Sequence, residues 1–116
     1  MNEAIQNLMN RIVEDYNQWT LRSAQARGRD ELSEHNIAMM QEFAEKVDYK
    51  VGNKYIRLFQ GGSVWGFVVN TENDKKFNYG DILMAAGYNA PARNKARGNV
   101  FDLDNTRVQW TGANYL

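Results

Sequence analysis

The stretch Lys54-Tyr55-Ile56-Arg57-Leu58-Phe59-Gln60-Gly61-Gly62-Ser63-Val64-Trp65-Gly66-Phe67-Val68-Val69-Asn70 decides the fold class. Two runs rich in aromatic and β-branched residues flank Gly61-Gly62, and a glycine pair in that setting marks a β-hairpin. A two-residue loop sets the register. Phe59 faces Val64, Leu58 faces Trp65, Arg57 faces Gly66, Ile56 faces Phe67 and Tyr55 faces Val68. Side chains alternate between faces along a strand. Ile56, Leu58, Trp65, Phe67 and Val69 then form the expected core side. Tyr55, Arg57, Phe59, Val64, Gly66 and Val68 form the other side. Upstream, Tyr49-Lys50-Val51 is extended and Gly52-Asn53 is a tight turn.

The residues before this hairpin belong to a different class. Residues 1–47 carry five basic and eight acidic side chains, a net of −3, whereas residues 48–116 carry nine and six, a net of +3. Three aromatics and one glycine precede residue 48; eleven and eight follow it. The front therefore reads as helix and the back as strands and turns. Ile5, Leu8, Ile12, Tyr16 and Trp19 recur at spacings of three and four, widened by Met9 and Val13. This is an amphipathic helix from about Asn2 to Ala24. Ala26-Arg27-Gly28-Arg29 breaks it. Asp30 is a candidate N-cap for a second helix from about Glu31 to Val47, with Leu32, Ile37, Met40, Phe43, Ala44 and Val47 as its apolar set. The short connection predicts an antiparallel helical hairpin.

After the hairpin, Thr71 to Lys76 is a polar turn, and Phe77 and Tyr79 alternate as in a short strand. Gly80-Asp81 predicts a short helix from Asp81 to Ala86, with Gly87 as its C-cap. Tyr88 to Asn99 is irregular. Arg107 to Thr111 is a last short strand that Gly112 ends. The expected fold is one α+β domain over residues 1–116: an N-terminal helical hairpin packed on a small antiparallel sheet, with a short inserted helix.

Composition excludes several function classes. The formal net charge is zero, apolar residues make up 43% and charged residues 24%, as in an ordinary globular chain. No apolar run approaches the ~18 residues of a membrane helix. There is no cysteine, so no disulfide, thiolate nucleophile or cysteine metal site can form. Met1-Asn2-Glu3-Ala4 lacks the basic and apolar regions of a signal peptide, which predicts an intracellular protein with no membrane partner.

The residues Gly80-Asp81-Ile82-Leu83, then Ala90-Pro91-Ala92-Arg93-Asn94-Lys95-Ala96-Arg97-Gly98-Asn99-Val100-Phe101, then Val108-Gln109-Trp110-Thr111-Gly112 resemble small uncharacterised proteins of tailed bacteriophages, phages of marine bacteria among them. The likeness covers roughly residues 50–116. The Ala-Pro-Ala and Ala-Arg-Gly-Asn segment is its most specific part. The resemblance implies a phage origin and expression in the host cytoplasm. It implies no activity.

Three groups of residues are candidates for contact with a partner. Arg93, Lys95 and Arg97 stand in a segment without an acid between Asp81 and Asp102, and cations among amides suit phosphate. The structural alternative is a long loop whose arginines tie strands together through carbonyls. Tyr55, Arg57 and Phe59 form an aromatic–arginine–aromatic row that can stack bases on an open sheet, unless another element or subunit covers that face. Ile5, Leu8, Ile12, Tyr16 and Trp19 are a core stripe, an interface between copies, or both. A homo-oligomer, most simply a two-fold dimer, is the expected assembly.

Enzymatic constellations are poor. His35 is the only histidine, which excludes a catalytic triad and a histidine-rich metal site. Asp102-Leu103-Asp104-Asn105 starts like a calcium loop but has Arg107 at the sixth position and Ala113 at the twelfth, so it reads as a turn. Gly61-Gly62-Ser63 lacks the spacing and helix of a phosphate loop. Glu14-Asp15 is a solvated helix face. No catalytic residue, metal or cofactor is assigned. The expected role is a phage-type accessory protein acting by protein–protein contact or self-assembly. The alternative is nucleic-acid binding through residues 88–99 and the Tyr55/Arg57/Phe59 face, and a carboxylate-only enzyme is the third class.

Overall fold

A computed structural model describes residues 1–28 and 33–113. Helix α1 runs Asn2–Ala26, about 37 Å at 1.5 Å per residue. Its apolar stripe is core. Ile5, Leu8, Ile12 and Tyr16 are between 0% and 7% exposed, whereas Trp19 at the same spacing is 42% exposed. The helix stops at Gly28, where φ is +76°, a conformation glycine adopts without Cβ strain. The amides of Arg27 and Gly28 close back on the carbonyls of Ala24 and Gln25.

Helix α2 runs Glu34–Lys46. Its N-cap is Ser33, whose Oγ accepts the Asn36 amide at 3.1 Å. The helix thus starts later than the sequence pattern suggests. Asp30, Glu31 and Leu32 lie outside the described residues. Phe43 is buried and stacks on Tyr16 with ring centroids 4.0 Å apart. Met40 and Val47 pack at the core margin. Ile37 and Ala44 face outward, so the apolar set is narrower than expected.

Strands β1 (Asp48–Val51), β2 (Tyr55–Gln60), β3 (Ser63–Val69), β4 (Asp81–Met84) and β5 (Gly98–Asn99) form one antiparallel sheet in chain order. The fold is α+β. Gly61, at φ +60°, turns β2 into β3, and Gln60 pairs with Ser63 and Phe59 with Val64 as the two-residue loop requires. The register then departs from expectation. Gly66, not Trp65, lies opposite Leu58; Phe67 lies opposite Arg57, and Val68 opposite Ile56. Trp65 is the extra residue of a β-bulge, a device that turns two successive side chains onto related directions and slips the pairing by one.

The slip exchanges the faces beyond it. Trp65 does join Ile56 and Leu58 under the helices, but Val68 is with them, while Phe67 and Val69 point the other way. Phe67 and Val69 form a second cluster with Leu83 and Phe77. Strands β3 and β4 are buried on both faces, by the helices on one side and by the segments around Phe77 and Ala96 on the other.

That double burial explains β4. Asp81–Met84 is a strand, not the start of a helix. Ile82 and Leu83 are 1% and 0% exposed, and Ile82 joins the helix-side cluster while Leu83 joins the outer one. Adjacent residues on opposite covered faces are what a strand satisfies. Gly80 enters it at φ +87°, and a Cβ there would lie 2.7 Å from the Phe101 ring. Phe77 and Tyr79 belong to no strand. The Asp74 carboxylate turns the chain before them, accepting the amides of Lys76 and Phe77 at 2.8 and 3.0 Å.

Residues 90–97 lead into β5 along the edge of β4 away from β3: the Ala92 and Arg97 amides donate to the Met84 and Ile82 carbonyls at 2.7 Å each. Leu103–Asn105 is a 3-10 turn. The end of the described chain is a hairpin, β6 (Val108–Gln109) with β7 (Gly112–Ala113), so Gly112 begins a strand where the sequence suggested an end. This hairpin packs on α1, β3 and β4. Trp65 Nε1 donates to its Gln109 carbonyl at 2.6 Å, and Trp110 meets Tyr16 edge-on at 5.1 Å. Among the described residues no helix is long and apolar enough to cross a membrane.

Candidate functional site

The three candidate groups meet different fates. Ile5, Leu8, Ile12 and Tyr16 are interior and offer no surface. Trp19 alone of that group is exposed, beside Trp110 at 5.3 Å between ring centroids.

The basic segment is mostly structural. Arg97 is 3% exposed, and its Nη2 donates to Asn94 Oδ1 at 3.3 Å. The Arg93 guanidinium crosses the outer face of the sheet. Its Nη1 donates to the Tyr55 hydroxyl. Its Nη2 donates to Asp74 Oδ1 at 3.0 Å, and its carbon lies 5.0 Å from the centre of the Phe77 ring. The Arg93 guanidinium, followed by the amides of Lys76 and Phe77, holds the Asp74 carboxyl well below the usual carboxylate range. Lys76 Nζ donates to the Arg93 carbonyl at 2.6 Å. Lys95 is exposed. The three cations therefore do not form one accessible cluster.

The Tyr55/Arg57/Phe59 face is partly covered, and by residues of this chain. Opposite Arg57 stands Phe67, not Gly66. The Arg57 guanidinium carbon lies 5.9, 5.8 and 5.3 Å from the ring centres of Phe59, Phe67 and Tyr88, a cation–π setting. Tyr88, 59% exposed, closes over it from the segment after β4. On the far side of β2, the Asn53-Lys54 turn puts Lys50 of β1 opposite Arg57.

Between these elements lies a cleft of about 240 Å³. Its lining includes Lys50, Lys54 and Arg57, the rings of Tyr55 and Phe67, and the amides of Asn53 and Asn89, with no carboxylate. A second depression, of about 440 Å³, adjoins it across Asn53 and Lys54 and is lined also by Lys75, Arg93 and Asp74. No protein family, curated protein or solved structure matches this chain.

Sequence reading found Tyr55, Arg57 and Phe59, and its segment 88–99 includes Tyr88 and Asn89, but it missed Lys50 and Lys54. For Lys50 the sequence places the turn one residue early, at Gly52-Asn53; the loop is Asn53-Lys54, closed by the Gly52 amide on the Tyr55 carbonyl at 2.9 Å, and it is this shift that sets Lys50 opposite Arg57. The pairing of Tyr88 with Arg57 had no local signal, because only the packing of residues 85–97 across the sheet brings the two together.

Proposed function

We propose that the protein is a non-enzymatic, phage-type accessory protein that binds single-stranded nucleic acid at the outer-face cleft. The observation that carries this reading is the cleft lining itself: three cations and two aromatic rings with no acid. Cations that track a backbone, interleaved with rings that stack bases, are the recurring physics of single-strand binding. Arg93 and Arg97 take no part; they brace the fold around the site. The burial of most of the α1 stripe removes the main support for an interface there.

A titration of the full chain with a fluorescent short oligothymidylate tests this. Three phosphate contacts predict an affinity that falls roughly 100-fold for a tenfold rise in salt. Arg57→Ala should remove most of the binding. An oligonucleotide that fails to bind at low ionic strength, or binds with no salt dependence, overturns the reading.

A further inference from the structure

We infer that the cross-strand pair Lys50 and Arg57, with Lys54 beside it, is a seat for one phosphate group. This deepens the nucleic-acid reading and rests on it only for the source of the phosphate.

Like charges directly opposite on one sheet face repel, yet β1 and β2 place two cations there. The nearest carboxylates on this face are not paired with them. Asp74 is held by Arg93, and Asp48 accepts the Tyr49 amide at 2.8 Å. Among the described residues none forms an ion pair with Lys50, Lys54 or Arg57. The Arg57 Nε is buried and makes no hydrogen bond. Phe59, Phe67 and Tyr88 surround the guanidinium with ring surface, which supplies no acceptor for its donors. The buried Nε is closed to the cleft, whereas the guanidinium's terminal N–H groups, with no hydrogen bond within the described residues, are the ones an anion in the cleft would meet. The planar guanidinium meets two phosphate oxygens with two parallel N–H groups, while Lys50 and Lys54 add point charges. At about 240 Å³ the cleft is smaller than a drug-sized pocket, which suits one phosphate and its immediate substituent.

Inorganic phosphate, thymidine 5′-monophosphate and a short oligothymidylate, each titrated into the full chain and followed by amide chemical shifts, separate the possibilities. The seat predicts that all three move the amides from Lys50 to Arg57. Lys50→Gln should weaken each by roughly tenfold, the loss of one charge-assisted contact, whereas Lys75→Gln should not. If the oligonucleotide binds but phosphate and the mononucleotide leave these amides unmoved, the seat is wrong and polymer binding stands. If phosphate and the mononucleotide bind but the oligonucleotide does not, the seat stands and the polymer reading falls. If none binds, or Lys50→Gln changes nothing, the seat is refuted.

Discussion

Trp65→Ala is expected to lower stability by ~3–5 kcal/mol, the range for large aromatic truncations in cores. The ring is 2% exposed in the cluster that joins α1, α2 and the sheet. Its indole N–H also ties the β6–β7 hairpin down through the Gln109 carbonyl. Two consequences separate the terms. Trp65→Phe keeps most of the ring but strands that carbonyl, so it should cost less, about 1 kcal/mol. Urea unfolding should show a lower midpoint with an unchanged slope in both variants. A Trp65→Ala protein as stable as its parent would contradict the burial of this side chain beneath the helices.

Reversing Arg93, Lys95 and Arg97 together to glutamate is expected to collapse the thermal transition. The damage comes from two of the three. Glutamate at position 97 puts an acid in an interior place, where an unpaired polar group alone costs ~1–3 kcal/mol. Glutamate at position 93 sets a second carboxylate against Asp74 and abandons the Tyr55 hydroxyl. Lys95→Glu alone should shift stability by less than ~0.5 kcal/mol, as exposed substitutions do. A triple variant that melts like its parent would show that the arginines do not brace the outer face.

Much of the fold was legible because it rests on local periodicity. The α1 stripe, the Gly61-Gly62 hairpin and the extended β1 all follow from spacing and turn chemistry. Beyond the hairpin the pattern fails for a physical reason. Val64 to Val69 is apolar on both faces, so alternation has no polar side to orient it, and a one-residue bulge at Trp65 goes unseen. The same double burial hides β4: with Ile82 and Leu83 both interior, their short apolar run reads as helix as easily as strand.

The site was legible in part. Arg57 and its flanking aromatics stood out on one strand. The segment from Arg93 to Arg97 drew attention for its charge, yet its geometry gives those arginines to the fold. A guanidinium facing a carboxylate such as Asp74 and one facing an open cleft look alike in a sequence. Only the tertiary path of residues 70–97 distinguishes them.

The most direct measurement of the binding face is an amide chemical-shift map of the full chain with a short oligothymidylate at low salt. Shifts confined to Lys50–Arg57 and to Tyr88-Asn89, with the Trp19 indole unmoved, are the predicted result. Shifts centred on the exposed end of α1 around Trp19, or no shifts at all, would contradict it.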